Sequence, residues 1–440
     1  MNRKRIFMLA LTGVCILLLI GNAMAQSDLQ NHRINSADPT AANKILAYGE
    51  AVKMALENHP ELAALEKEIR ARQAHTVQEG VWPNPVLDME LENFAGSGAL
   101  DGVDESELTI SAGQLIELGG KRSKRRSIAV LESRMAEAEL QIKKLEIMTQ
   151  VKRAYISVLH VQNRKELREN ALDLSQKMLG AVTTRVEAGN LSRAEIHRAN
   201  VQLAESKVQL ERVNRQLLTA RINLALAVGV NSLNGYNFAA DTGHIPKLPD
   251  FALLDSQLRQ NPRFLLAGIE NQRRQKIVEL EKANRLPDPT LAVGYRRLNE
   301  LDDNAFLAGL SIPLPLSDRN QGAREEAVIR RGIAEDEQRN LSLRMEARLN
   351  EFYIQAEGLR NELNILETQT LPGANQAFEI MGERYGQGRS SYLEVLDAQR
   401  TLIDNRENYL QDLTEYYLIL SELEQLTGQT ILTFHQTISN

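Results

Sequence analysis

Three carboxylates alternate with three apolar side chains in the run Leu87-Asp88-Met89-Glu90-Leu91-Glu92. Successive side chains of an extended chain point to opposite faces. Asp88, Glu90 and Glu92 therefore share one face, and Leu87, Met89 and Leu91 the other. A strip of carboxylates of this kind carries out no covalent step. Lining a water-filled passage, it lowers the potential energy of cations and raises that of anions. Facing hydrocarbon instead, charged side chains would cost up to several kcal/mol each near the middle of a bilayer. The expectation is that the apolar side meets lipid and the three acids line a lumen, with Asp101, Asp104, Glu105 and Glu107 adding negative charge beyond them.

Other chemistries lack their residues. The histidines His32, His59, His75, His160, His197, His244 and His435 never stand three or four apart, so no helix presents a paired metal site. The methionines are equally dispersed and offer no soft-ligand cluster. Gly119-Gly120-Lys121-Arg122 departs from a phosphate-binding loop, which needs glycine where Leu115 stands and Ser or Thr where Arg122 stands. The two glycines are better suited to a tight turn. No Gly-x-Ser-x-Gly or His-Glu-x-x-His occurs. The expectation is no catalytic residue, no cofactor and no resident metal; a metal handled here would be cargo.

Arg3, Lys4 and Arg5 precede an apolar run from Ile6 to Ile20, and Ala23-Met24-Ala25 supplies small residues for a signal peptidase. Residues 1–25 thus read as a cleaved secretory signal. Cys15, the sole cysteine, lies inside the apolar run after Val14, which is not the setting of a lipid anchor, so the mature chain has no thiol. The formal net charge is −6, and losing those three basic residues leaves about −9. An acidic chain with mixed charges argues against nucleic acid as a partner. No later stretch reaches the roughly 18 consecutive apolar residues of a spanning helix, so a membrane could be crossed only by strands.

The elements that would position the acids recur. Asn58-His59-Pro60 returns as Gln260-Asn261-Pro262, and Trp82-Pro83-Asn84-Pro85 as Leu286-Pro287-Asp288-Pro289. Arg185 and Gly189 return as Arg384 and Gly388, and Gly229 as Gly428. The shared offset of roughly 200 residues indicates tandem duplication. Repeat 1 is expected over 45–229 and repeat 2 over 251–428, with a segment 26–44 before, a linker 230–250 between and a tail 429–440 after. Each repeat reads helix, two strands, very long helix, helix. The opening helices are expected over about 45–81 and 251–285, each ending at Pro-x-Pro. Strands are expected at about 86–94, 106–116, 290–297 and 304–312, with Leu108, Ile110, Ala112, Leu291, Val293, Tyr295, Phe306, Ala308, Leu310 and Ile312 on apolar faces.

Leu131, Met135, Ala138, Ile142 and Leu145 are spaced 4-3-4-3, a coiled-coil seam in a helix over about 121–186. At 1.5 Å per residue it would run roughly 100 Å. The following helix carries Leu203, Leu210, Leu217 and Leu224, with Ser206, Val213, Ala220 and Ala227 between; repeat 2 carries Leu402, Tyr409, Tyr416 and Leu423. Four strands cannot close a barrel, and open edges are not tolerated in lipid, so several copies must complete it together.

This combination resembles the outer-membrane efflux protein family typified by TolC. The run Gln114 to Arg122 is similar to the strand exit of its heavy-metal branch, typified by the cobalt-zinc-cadmium efflux channel. The resemblance implies an α+β membrane protein: a homotrimer whose chains each give four strands to a twelve-stranded barrel and long coiled-coil helices to a periplasmic tunnel. It also implies a periplasmic adaptor and an inner-membrane transporter as partners. Arg185, Gly189 and Asn190, with Arg384 and Gly388, match the adaptor-contacting tips. The run Tyr392 to Ala398 is similar to the tunnel-closing segment, which gives Glu394, Asp397 and Tyr385 to a gate. Glu394 and Asp397 are three apart and share a helix face. Export of heavy-metal cations is the expectation, with export of drugs or other small organics as the alternative. A periplasmic coiled-coil scaffold would explain the heptads but not the four alternating strands.

Overall fold

The computed structural model describes residues 44–238, 245–428 and 430–432. The expected signal at 1–25, the segment 26–43, part of the linker and most of the tail lie outside the described residues. Apart from Lys44 and Asn234–Tyr236, the described residues form one compact unit, which concerns everything below. Two three-residue strands, β1 (Lys44–Leu46) and β4 (Tyr236–Phe238), flank the first repeat.

The first expected helix is two. α1 (Tyr48–Asn58) ends at His59, and α2 (Pro60–Gln78) starts at Pro60. His59 adopts an extended conformation (φ −70°, ψ 121°), and its ring accepts a hydrogen bond from the Glu61 amide. Proline lacks the amide that a continuous helix would need but fits the first helical turn. Repeat 2 breaks in the same way, into α5 (Phe251–Leu258) and α6 (Pro262–Ala283). There Asn261 caps α6 through the Arg263 amide and donates to the carbonyls of Gln425 and Leu426, pinning the break to the far end of the chain.

Four antiparallel strands follow: β2 (Val86–Glu92), β3 (Glu107–Leu115), β5 (Thr290–Leu298) and β6 (Asp303–Ser311), in the order β2-β3-β5-β6. Met89 faces Ile110, Ile110 faces Tyr295 and Tyr295 faces Phe306, so each cross-strand row joins both repeats. Leu87, Met89, Leu91, Leu108, Ile110, Val293, Tyr295, Phe306 and Leu310 thereby lie on one face. The Tyr295 and Phe306 rings meet edge to face at 6.0 Å. These side chains have no covering layer; Phe306 is 90 % exposed.

α3 (Lys121–Glu187) spans 67 residues, and α4 (Arg193–Val228) returns along it. α2, α3, α6 and α7 (Gln321–Ile365) are neighbours in that order, continuing the order of the strands. The second long helix is interrupted: a π turn at Leu366–Thr370 separates α7 from α8 (Leu371–Gly386). Pro372 deprives the helical ladder of one amide, and a π turn shifts the pairing there. α9 (Tyr392–Thr427) completes the chain of helices.

The two returning helices bury different faces. On α9 the expected stripe is deep, with Leu402, Tyr416 and Leu423 buried. On α4 the leucines Leu203, Leu210 and Leu217 are half-buried and Leu224 is fully buried, while Ala199, Ser206, Val213 and Ala220 form a buried row between them. Ser206 and Ser175 share a hydrogen bond of 2.9 Å across that seam. α9 packs on α3, α5, α7 and α8, whereas α4 packs along its length on α3, with α1 touching one end and Tyr385 of α8 and Tyr392, Val395 and Leu396 of α9 meeting Ala199 at the other. The outer side of α4 therefore leaves Val201, Val208, Leu218, Ile222 and Leu226 exposed.

Candidate channel surfaces and gate

On the sheet, the register places Asp88, Glu90 and Glu92 on the face opposite the apolar one, together with Thr109, Ser111 and Glu107 of β3. That face also contains a residue the alternation argument missed. Arg296 of β5 lies opposite Thr109, and its guanidinium donates to Thr109 Oγ1 at 2.8 Å and to Glu107 Oε2 at 2.9 Å. A further nitrogen lies 3.4 Å from Glu92 Oε2. Asp88 and Glu90 have no ion pair among the described residues. Alternation from Tyr295 already puts Arg296 on the acids' face; which acid it reaches depends on the pairing of β3 with β5.

Below the sheet, the Gly119-Gly120 turn has the left-handed conformation its composition suggests, with φ of +69° and +67°. Its neighbours form a clasp between the repeats. Lys121, with a side chain only 8 % exposed, donates from Nζ to Asp288 Oδ2 at 2.7 Å and to the Leu286 carbonyl at 2.6 Å. Asp288 also accepts from the Leu118 amide at 2.8 Å. Beside it, Arg125 bridges Glu117 and Glu79, and Arg122 stacks 4.1 Å over the Trp82 ring. The Pro-x-Pro and Gly-Gly-Lys-Arg runs thus meet where strand becomes helix.

At the opposite end of the long helices lie the two turns. In the first, α3 ends at Gly189 (φ +75°), the Asn190 amide donates to the Arg185 carbonyl at 2.9 Å, and Ser192 caps α4. In the second, α8 ends at Gly388 (φ +76°), the Arg389 amide donates to the Arg384 carbonyl at 2.8 Å, and Ser391 caps α9. Gly189, Asn190, Arg384 and Gly388 are all exposed. Arg185 is half-buried: its Nη1 donates to the Tyr385 carbonyl at 2.8 Å and its guanidinium lies 4.6 Å over the Tyr385 ring.

Of the three gate candidates, Glu394 and Asp397 are exposed on one side of the first turns of α9, and Tyr385 is not. Tyr385 is 4 % exposed, packed with Val182, Ala199, Tyr392, Val395 and Leu396. Burial raises its hydroxyl pKa, with the Arg185 charge opposing. Within one chain it is a packing residue that ties the two turns together, its ring 6.4 Å from that of Tyr392 and beneath the Arg185 guanidinium. Glu394 accepts from the Ser391 amide at 2.6 Å while Ser391 Oγ accepts from the Glu394 amide, a reciprocal cap that holds the Glu394 carboxyl below the ordinary carboxylate range. Among the described residues, no three of His, Cys, Asp and Glu are grouped to hold a metal ion. His160 lies against Thr414, and burial, reinforced by the Arg164 charge, pushes its pKa down.

A duplicated chain with a four-stranded sheet, unclosed and apolar on one face, and long hairpins of helix defines a protomer of a barrel-and-tunnel channel. The outer membrane efflux protein family matches residues 51–230 and 253–429. The cobalt-zinc-cadmium resistance protein CzcC of Cupriavidus metallidurans is 30% identical over 418 residues, 95% of this chain and 98% of that protein. The pyoverdine export outer membrane protein OpmQ of Pseudomonas aeruginosa is 24% identical over 80% of this chain and 78% of its own length. The crystal structure of the outer membrane protein VceC from Vibrio cholerae superposes with a TM-score of 0.72 at 20% identity, covering 88% of this chain and 97% of that one. The chain belongs to the outer membrane efflux protein family, the TolC-like channels of the outer membrane whose helices form a periplasmic tunnel. It is a channel and not an enzyme.

Proposed function

We propose that this channel is a homotrimer and forms the passive exit duct of a tripartite pump for heavy-metal cations, working with a periplasmic adaptor and an inner-membrane transporter. The observation that carries the reading is the two-faced sheet: apolar side chains with nothing covering them on one side, and carboxylates on the other. The apolar face meets lipid, because charge there is costly. The opposite face, with Asp88, Glu90 and Glu92, lines water. Three copies supply twelve strands, and the exposed stripe Val201, Val208, Leu218, Ile222 and Leu226 on α4 is the kind of seam that a neighbouring helix covers.

In this reading the exposed residues of the turns, Gly189, Asn190, Arg384 and Gly388, meet the adaptor, and Arg185 shapes that surface from beneath. Glu394 and Asp397 ring the narrow end, where like charges brought to a threefold axis repel unless solvated, paired or bridged by cations. Tyr385 acts on this gate by holding α8 against α3. Mature protein beginning near Gln26 completes the proposal for export.

The similarity to a cobalt-zinc-cadmium resistance protein along nearly the whole chain supports metal cargo. The pyoverdine export relative supports organic cargo and is the second reading. A strain lacking this gene, grown across divalent and monovalent metals with dyes and antibiotics alongside, separates them. Sensitivity to zinc, cobalt, cadmium or copper that the gene rescues is the expected result. Sensitivity to organics alone would keep the channel and overturn the metal cargo.

A further inference from the structure

The sheet's polar face has an uneven charge. The register puts five carboxylates on it: Asp88, Glu90 and Glu92 of β2, Glu107 of β3 and Asp303 of β6. Of the strands' basic residues, Arg297 points to the other face, where it pairs with Asp302 at the sheet's end. Among the described residues of the four strands, Arg296 is the single cation on the acidic face.

Its position has a local cause. Glu92 and Glu107 stand directly opposite each other on adjacent strands, an arrangement of like charges that destabilises a sheet. Arg296 reaches both from the next strand, with Nη1 2.9 Å from Glu107 and Nη2 3.4 Å from Glu92, while Nε donates to Thr109 at 2.8 Å. The guanidinium suits this place because it is planar, always charged and able to donate in several directions at once. It compensates Glu92 and Glu107 and leaves Asp88, Glu90 and Asp303 without an ion pair among the described residues.

We propose that Arg296 is a selectivity-setting residue of the channel: it fixes how negative the barrel lumen is by compensating two of the five carboxylates and sparing the other three. The proposal rests on the reading that this face lines the water-filled lumen. In a closed barrel one guanidinium per chain forms a ring of fixed charge on the lumen wall, and such a ring biases which ions enter. Its removal exposes two more carboxylates per chain to the permeating ions.

The test is the reversal potential of the full-length channel in planar bilayers under a salt gradient, with assembly checked first. Arg296→Gln is expected to raise the cation-to-anion permeability ratio by roughly twofold at low salt, and less at high salt as screening increases. Arg296→Lys is expected to keep the wild-type ratio at pH 7. Raising the pH past the lysine range, with an ordinary pKa of about 10.4, should then raise the ratio in the Lys variant relative to wild type, whose arginine stays charged. This second variant keeps the proposal testable where the Gln variant fails to assemble. Glu90→Gln is the control for the lumen itself and is expected to lower the ratio. A Glu90→Gln effect with no change in either Arg296 variant overturns the role of Arg296 alone. No change in any of the three overturns the lumen reading as well.

Discussion

The two helical turns were built from one plan and now differ. Backbone geometry is shared almost to the degree: glycine φ values of +75° and +76°, and the same closing hydrogen bond at 2.9 and 2.8 Å. Their equivalent arginines have separated in role. Arg185 is folded under the second turn and bonded to it, whereas Arg384 is exposed and makes no side-chain hydrogen bond or ion pair among the described residues. The acids after the serine caps have separated too. Glu195 pairs with Arg198 at 3.0 Å, but at the equivalent places of α9 stand Glu394 and Asp397, two acids with no arginine between them. Duplication preserved what the turn requires of the backbone. Side chains were free to make the first turn a support and the second a charged surface.

The largest effect should come from breaking the support. Arg185→Ala removes a hydrogen bond and a stacked cation, about 2 kcal/mol together, and hydrogen exchange should quicken on the order of tenfold or more in residues 381–390. Arg384→Ala should leave exchange there unchanged, and an equal response from both variants would dissolve the distinction. Glycine substitutions give a finer comparison. Gly189→Ala and Gly388→Ala each force a side chain into the left-handed region at a cost of about 1 kcal/mol. A methyl group at 388 would also sit 3.3 Å from the Arg185 guanidinium, while at 189 it meets nothing within 4 Å. Gly388→Ala is therefore expected to lower the thermal midpoint more than Gly189→Ala.

Charge at the turns should show in conductance before stability. Glu394→Gln combined with Asp397→Asn is expected to change pore leakage in bilayers, whereas Glu195→Gln should not; unchanged leakage in the double variant removes these acids from the gate. The smallest effect concerns pH. Because Glu394 is held below the ordinary carboxylate range, chiefly by the Ser391 amide, its cap contributes stability above that range. The contribution is lost as pH falls through the lowered folded value. Protection of the Ser391 amide should fall in acid, while the start of α4, whose serine cap has no such reciprocal carboxylate, should respond less.

Much of this was legible in the residues. The alternation from Leu87 to Glu92 sorted apolar from acidic side chains because a strand has only two faces. The recurrence of Arg-x-x-x-Gly located both turns. The first helix was misread as continuous across Pro60, although proline preceded by a residue suited to capping signals a fresh start. On α4 the expected seam is buried at Ser206, Val213, Ala220 and Leu224, whereas Leu203, Leu210 and Leu217 are only half-buried. Heptad spacing identifies a stripe, but how closely two helices approach depends on what else surrounds them, and α4 has few neighbours.

The sequence by itself determined the elements, their duplication and the polarity of each face, because helix and strand periods, proline breaks and glycine turns act within a few residues. Only the tertiary structure decided which charges are compensated. Arg296 meets Glu107 across 189 residues and Lys121 meets Asp288 across 167. Both pairs require β3 of one repeat to lie beside β5 of the other in one register. That alignment comes from packing the two repeats together, and no local pattern in the chain specifies it.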